Sequence, residues 1–195
     1  MQRIAIDGSH LTIDEIIAVA RHGAEVQLAP EAYEVIQTSY QWVEDIIDRG
    51  EPVYGINTGF GVFSEKRIHP KESAQLSRNL ILSHAVGTGA PLPDEVVRAA
   101  ILVRANTFAK GFSGIRMEVI ETLIALLNKN VTPIIPSQGS LGSSGDLAPL
   151  AHTALVFTTD ADDLDSESGM ARYDGEILSG KAAMQRAGIE RVVLG

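Results

Sequence analysis

The chain contains 195 residues, a length that fits one domain or two small ones. Its net charge of −9, without any cluster of Lys or Arg, argues against a nucleic-acid partner. The absence of cysteine excludes disulfides, thiolate metal sites and cysteine nucleophiles. No apolar run has membrane-spanning length and the N-terminus lacks the apolar core of a signal peptide, so we expect a cytoplasmic protein with no membrane partner.

The first residues predict a small β element around one helix. Arg3–Asp7 places isoleucine at every second position, which predicts a short strand. Thr12, followed three residues later by Glu15, forms a capping-box pattern that predicts a helix over Ile13–His22. A second short strand, Glu25–Leu28, is expected to pair with the first.

A longer helix and a glycine-rich loop come next. The helix is predicted to begin at Pro30 and to end at Gly50. Tyr54 then precedes the loop Gly55–Gly61, which lacks the Gly-Lys-Ser/Thr sequence of a phosphate loop. We expect this loop to lie close to a ligand or to another backbone segment. The predicted apolar face of the helix consists of Val35, Ile36, Tyr40, Val43, Ile46 and Ile47.

Three further helices are predicted in series, and they set the fold class. They begin at Pro70, at Pro93-Asp94 and at Ile115, and the last runs to Lys129. The sequence thus predicts a mainly α fold in two parts. Residues 1–110 would form an N-terminal helical domain with the small β element, and residues 111–195 the beginning of a central bundle of long helices.

The last third of the chain combines loops with shorter elements. Val131–Pro136 contains two prolines and is expected to be extended. Gly139–His152 begins rich in glycine and serine and then becomes apolar, which predicts a helix from about Asp146 to Phe157. The acidic segment Asp160–Gly169 is expected to be a solvated loop, and Tyr173–Glu176 a hairpin turn.

The tripeptide Ser143-Ser144-Gly145 can supply an electrophile if the backbone around it is compressed. The amide nitrogen of Gly145 could attack the carbonyl carbon of Ser143 and close a five-membered imidazolone ring. Loss of water from Ser144 would then leave an exocyclic methylene. Glycine suits the attacking position because no side chain crowds its nitrogen.

The segment Gly139–His152 resembles the signature of the aromatic amino acid ammonia-lyase family, and the segments around 54–61, 78–87 and 104–116 resemble that family as well. In the family an Ala-Ser-Gly tripeptide forms the prosthetic group MIO, 4-methylideneimidazole-5-one. The resemblance implies that Ser143, Ser144 and Gly145 form MIO here, with no metal and no external cofactor. Ser143 replaces the usual alanine, a change compatible with cyclisation because the ring uses only the backbone of this residue.

The resemblance also assigns roles to residues outside the tripeptide. Tyr54 opens a segment similar to the loop that carries the family's catalytic tyrosine, which implies a phenolate base that removes the weakly acidic β-hydrogen of an amino acid. The pair Ser83-His84 resembles the histidine-specific subgroup and implies that both residues belong to the substrate-binding site, with His84 hydrogen bonding to the substrate's imidazole. Without the resemblance, Tyr54 would be interpreted as a packing residue and His84 as a packed or capping residue.

Asp146 has two interpretations that can hold together. Its position before an apolar helical pattern predicts a helix N-cap, and a functional role would be to assist the proton transfers of ring formation. A helix that begins here would direct its amides at the ring and favour negative charge on the imidazolone oxygen. The remaining histidines, His10, His22, His69 and His152, show no metal-ligand spacing.

The activity implied by the resemblance is the non-oxidative elimination of ammonia from L-histidine to give trans-urocanate. Full-length family members are tetramers, which implies a homo-oligomer. The sequence stops before the family's later site residues, so we expect the N-terminal portion of such a lyase, with little activity by itself. Two alternatives stay open: an ammonia-lyase or aminomutase acting on tyrosine or phenylalanine, and an inactive folded scaffold or assembly module.

Overall fold

A computed structural model describes residues 2–140, 145–160 and 164–194, apart from the side chains of residues 70 and 71. This part of the chain is mainly α, as predicted, with seven α-helices and nine short strands. The helices are α1 (Ile13–His22), α2 (Pro30–Arg49), α3 (Pro70–His84), α4 (Asp94–Ala109), α5 (Met117–Asn128), α6 (Leu147–Phe157) and α7 (Gly180–Arg186). The strands are β1 (Arg3–Ile6), β2 (Glu25–Leu28), β3 (Thr88–Pro91), β4 (Thr132–Pro133), β5 (Pro136–Gln138), β6 (Thr158–Thr159), β7 (Met170–Tyr173), β8 (Glu176–Ser179) and β9 (Val192–Val193).

The strands β1 and β2 form the predicted β element near the N-terminus. They pair in parallel, with Ile4 opposite Val26 and Ile6 opposite Leu28. All four of these side chains are buried, as expected for a parallel pair, whose two faces both need cover. The helix α1 connects the strands, and both hydrogen bonds of its predicted capping box are present.

Two polar side chains tie this β element to the helices. Asn128, at the end of α5, accepts the amide hydrogen of Val26 and donates to its carbonyl, each at 2.8 Å. Arg98 of α4 donates to the carbonyls of Val19 at 3.0 Å and Leu127 at 3.1 Å. These carbonyls lie in the last turns of α1 and α5, where the regular hydrogen bonds of a helix are incomplete. The arginine therefore holds two helix ends against α4.

A single hydrophobic cluster joins both sides of the predicted boundary at residue 110. The boundary falls in the turn between α4 and α5, and the division into two domains stays a prediction. Buried members of the cluster from the two sides include Ile6, Val19, Ile36, Leu102, Ala105, Ile120, Leu126, Val156, Ala171 and Met184.

The described part of the segment Asp160–Gly169 is only partly the solvated loop that the sequence predicts, since residues 164–166 are exposed but its two ends pack against the protein. Ser168 is fully buried, and the acidic residues beside it approach an arginine of α3. The Arg78 side chain is only 2% exposed, and its guanidinium lies 3.4 Å from Asp160 Oδ2 and 3.4 Å from Glu167 Oε2. The sequence did not indicate these ion pairs, which form because a buried cation needs carboxylate partners.

The apolar face predicted for α2 is also only partly correct. Ile36 is buried together with Ala32 and Ser39, whereas Val35 is 44% exposed. The other residues of the predicted face are half-buried: Tyr40, Val43, Ile46 and Ile47. The side of α2 that enters the core is therefore narrower than the apolar pattern suggests. Within the described residues, no helix is both long and apolar enough to cross a membrane.

Close backbone contacts hold α3 and α6 together, and this pair of helices organises the candidate site. Gly87 follows α3, and a Cβ atom added to it would lie 3.1 Å from His152 Nε2 and 3.1 Å from the Cβ of Pro136. A Cβ atom on Gly139 would lie 3.0 Å from the Cβ of Ala148. Glycine suits both positions, because any larger residue would require these neighbours to shift by a few tenths of an ångström.

Candidate active site

A cavity of about 560 Å³ lies between the loop after α2, the helix α3 and the helix α6. Its size falls within the range of ordinary small-molecule sites. Among its lining residues only Tyr54 and His84 carry side chains that form strong hydrogen bonds, and the other walls are aliphatic or aromatic. The lining consists of Tyr54, Phe60, Leu80, Ile81, His84, Leu147, Leu150, Ala151 and Ala154.

Tyr54 stands in a turn that an asparagine side chain holds in shape. Asn57 Oδ1 accepts the amide hydrogen of Val53 at 2.8 Å, and Asn57 Nδ2 donates to the carbonyl of Glu51 at 2.8 Å. The Tyr54 ring meets Phe60 edge-to-face, with 5.9 Å between ring centroids and an interplanar angle of 75°. Because the turn and the ring contact both fix the tyrosine, its phenol is presented at the cavity although the residue is 63% exposed.

His84 is the last residue of α3, and its ring orientation is set by its own helix. Nδ1 lies 2.8 Å from the carbonyl oxygen of Leu80, one turn earlier. A carbonyl can only accept, so Nδ1 carries the hydrogen and Nε2 is the acceptor of the neutral ring. Ser83 Oγ donates to the same carbonyl at 3.0 Å and lies 3.1 Å from His84 Nδ1. Ser83 thus supports the histidine and does not itself line the cavity.

The helix α6 begins two residues after the predicted MIO tripeptide. Leu147, its first residue, lines the cavity, and Gly145 precedes it by two positions. Gly145 has φ of 86° and open space where a Cβ atom would stand, so its backbone adopts a conformation that glycine favours. Ser143 and Ser144 lie outside the described residues.

Asp146 occupies the predicted N-cap position of α6, but its side chain does not cap the helix. An N-cap carboxylate bonds to the amide two or three residues later, and the third position here is Pro149, which has no N–H. The carboxylate instead accepts a hydrogen bond from Ser140 Oγ, with 2.5 Å between the oxygens. This bond links the two described ends of the segment that contains the predicted electrophile.

The structure brings some of the predicted site residues together. Tyr54 and His84 line one cavity, and Gly145 precedes its lining residue Leu147 by two positions. Asp146 contacts Ser140 and does not line the cavity.

Sequence reasoning missed Asn57 as the residue that shapes the tyrosine turn, and it missed the contribution of Phe60 to the cavity. The apolar residues that α6 contributes to the cavity could have been predicted, because their spacing places them on one face of a helix: Leu147, Leu150, Ala151 and Ala154.

One more histidine contacts this region from α6. His152 Nε2 accepts the amide hydrogen of Gly87 at 3.0 Å, three residues after His84. Burial lowers the pKa of His152 from its ordinary value of 6.5, which favours the neutral ring that this bond requires. Within the described residues, no group of three or more acidic, histidine or cysteine side chains could hold a metal ion.

The fold and the cavity define a class of protein. It is mainly α, and Tyr54 and His84 share an apolar cavity next to α6, the helix that follows a glycine-rich segment. The family model described as aromatic amino acid lyase matches residues 11–195. The chain therefore belongs to the aromatic amino acid lyase family.

Individual relatives agree with this assignment. The chain is 50% identical over 194 residues to a histidine ammonia-lyase of Caldanaerobacter subterraneus subsp. tengcongensis, with 100% of this chain and 37% of that protein covered. It superposes on an ergothionase structure from Treponema denticola with a TM-score of 0.91 and 31% identity, covering 100% of this chain and 37% of the other. A phenylalanine aminomutase from Pantoea agglomerans gives a TM-score of 0.86 and 32% identity, covering 98% and 35%. The chain thus spans little more than a third of the length of these relatives.

Proposed function

We propose that this chain contributes to a histidine ammonia-lyase, which eliminates ammonia from L-histidine and releases trans-urocanate. The observation that carries the proposal is the shared cavity of Tyr54 and His84 beside the start of α6. The 50% identity to a protein named histidine ammonia-lyase supports histidine as the substrate. The aminomutase and ergothionase structures are less similar in sequence, at 32% and 31% identity.

His84 would recognise the substrate's imidazole ring. Because its Nδ1 is engaged by the Leu80 carbonyl, Nε2 is available to accept the N–H of a neutral imidazole. The aliphatic side chains of Leu80 and Leu150 line the same cavity and would pack against the ring's faces. A neutral acceptor paired with a donor N–H also distinguishes imidazole from a phenyl ring, which has no such donor.

Tyr54 would act as the base that takes the β-hydrogen of the substrate. Its position is set by the turn that Asn57 holds and by the edge of Phe60, so the phenol oxygen needs little reorganisation before reaction. The tyrosine is 63% exposed. We propose that surfaces outside this chain cover the site, among them those of other subunits in a homo-oligomer.

The residues near Gly145 fit the formation of MIO, the group that would supply the electrophile for ammonia elimination. Gly145 has a positive φ, and it carries no side chain beside the nitrogen that would attack. The bond between Ser140 and Asp146 draws the flanks of the segment together, which favours the compression that ring closure needs. We assign Ser143, Ser144 and Gly145 as the precursor residues and Asp146 as a residue that supports their closure.

Intact-mass measurement of the purified chain tests this assignment. We expect a mass lower by two water molecules than the sequence requires. Ser143→Ala should keep this loss, because the ring uses only the backbone of residue 143, whereas Ser144→Ala should prevent the dehydration that forms the methylene. A parent chain with its full sequence mass would contradict the proposed electrophile and favour an inactive scaffold.

Substrate preference tests the role of His84 in the assembled protein. We expect urocanate from L-histidine, and His84→Leu should lower the preference for histidine over phenylalanine and tyrosine. His22→Leu is the matched control, because His22 is an exposed histidine on α1. Product from phenylalanine or tyrosine alone, or an unchanged preference in the His84 variant, would favour the second candidate, a lyase or aminomutase for those amino acids.

A further inference from the structure

The helix α6 presents two different faces to the site. One face, with Leu147, Leu150 and Ala151, lines the cavity. The other face carries Ala148 and His152, which are four residues apart and therefore lie one above the other. Backbone segments from elsewhere in the chain dock on this second face.

The two segments that pack on this face do so at glycines, Gly87 and Gly139, which allow close approach to α6. A Cβ atom on Gly139 would lie 3.0 Å from the Cβ of Ala148 and 3.1 Å from the Cα of Gly87. Gly87 in turn donates its amide hydrogen to His152 Nε2 at 3.0 Å. The end of α3 and the segment before the predicted MIO tripeptide therefore meet on one face of α6.

Two hydrogen bonds made by adjacent amides fix the backbone between His84 and the point that His152 contacts. The carbonyl of His84 accepts the amide hydrogen of Val86 at 2.9 Å, which closes a tight turn directly after α3. The next amide, that of Gly87, is the one bonded to His152. His84 is thus separated from the amide that His152 binds by only two residues, Ala85 and Val86, whose amides are both hydrogen bonded to backbone carbonyls.

We propose that His152 is a positioning residue, which fixes the Ser83-His84 end of α3 against α6 by accepting the amide hydrogen of Gly87. The bond requires an unprotonated Nε2, so the ring carries its proton on Nδ1. An apolar side chain at this position would leave the Gly87 amide without its acceptor. His84 would then lose its fixed distance from the start of α6. The consequence for substrate recognition rests on the proposed function, whereas the bond and its effect on His84 do not.

Nuclear magnetic resonance on the isotopically labelled 195-residue chain tests the proposal directly. We expect a scalar coupling across the N–H···N bond between the Gly87 amide nitrogen and His152 Nε2. His152→Leu should accelerate hydrogen exchange of the Gly87 amide by about fivefold, the size expected for one ordinary hydrogen bond. It should also shift the ring resonances of His84.

Two further variants separate positioning from general packing. His152→Gln retains an acceptor and should restore both the slow exchange at Gly87 and the His84 resonances. His22→Leu removes an exposed histidine from α1 and should change neither. If His152→Leu does not fold, the coupling in the parent chain and the glutamine variant still decide the outcome.

The proposal is overturned if the parent shows no coupling, or if the His84 resonances are the same in the leucine variant and in the parent. It is also overturned if the glutamine variant behaves like the leucine variant at both positions. These outcomes are independent of the intact-mass test, since a chain that forms no MIO can still hold the His152–Gly87 bond.

Discussion

The contact between Gly139 and α6 offers a sharp test of the compressed backbone before the predicted electrophile. In Gly139→Ala, the new methyl group would lie 3.0 Å from the Cβ of Ala148 and 3.1 Å from the Cα of Gly87. Apolar carbon atoms pack best at about 3.5–4.0 Å, so both contacts are too short. The φ angle of Gly139 is not in the left-handed region, so the variant should suffer from crowding alone.

The size of the effect follows from this crowding. Inserting a methyl group into a packed contact costs about 1–3 kcal/mol of the free energy of unfolding. We expect Gly139→Ala to fall at the lower end of this range. Gly139 is exposed, Ala148 and Gly87 need to move by only a few tenths of an ångström, and the smaller conformational freedom of alanine in the unfolded chain offsets part of the cost. Urea denaturation followed by circular dichroism measures the change, and a constant m value would show that the unfolded state is unaffected.

A double-mutant cycle isolates the contact. Ala148→Gly removes one of the two crowded atoms and costs about 1 kcal/mol by itself, through the lower helix propensity of glycine. Combined with Gly139→Ala, it should recover part of the lost stability, with an interaction energy of about 0.5–3 kcal/mol. Additive effects, or a Gly139→Ala variant as stable as the parent, would refute the reasoning that glycine is needed here for close approach.

Three further expectations concern the same region. Asn57→Ala removes two hydrogen bonds to the backbone around Tyr54. We expect the free energy of unfolding to fall by about 1–3 kcal/mol in urea denaturation and the amides of that turn to exchange faster. An unchanged exchange rate would count against the role of Asn57. Burial lowers the pKa of His152 below its ordinary 6.5, so the unfolded chain takes up the proton first as the pH falls. The free energy of unfolding should therefore not depend on the titration of His152 above about pH 6.5, and it should decrease below that pH. Urea denaturation of the parent and of His152→Gln at several pH values measures this contribution. Ser140→Ala removes the bond to Asp146 and should slow the loss of two waters in a time course of intact mass, whereas an equal rate would show that this bond does not assist closure.

Local signals in the sequence predicted most of the helices and the first β element. The capping box at Thr12 and the prolines at the starts of α2 and α3 act within a few residues, so their effects can be read directly. The hairpin turn after Tyr173 is of the same kind, because Asp174 and Gly175 both adopt positive φ angles there.

The remaining errors concern pairings between distant parts of the chain. The strand β3 pairs with β5, and β6 pairs in parallel with β9, although these strands have only two to four residues each. Such short segments carry no periodic pattern, and only the packing of the helices around them brings them together. The buried Arg78 is a similar case, since its carboxylate partners lie more than eighty residues later in the chain.

For the candidate site too, local sequence patterns could be interpreted, whereas contacts between distant parts of the chain could not be predicted. The types of residue at Tyr54, His84 and the predicted MIO tripeptide could be interpreted from the sequence, because each lies in a distinctive short segment. Their arrangement in space depends on the two faces of α6, one of which lines the cavity while the other receives Gly87 and Gly139. A change on the docking face should therefore disturb the site without touching it, which is why His152 and Gly139 test this arrangement more directly than the residues that line the cavity.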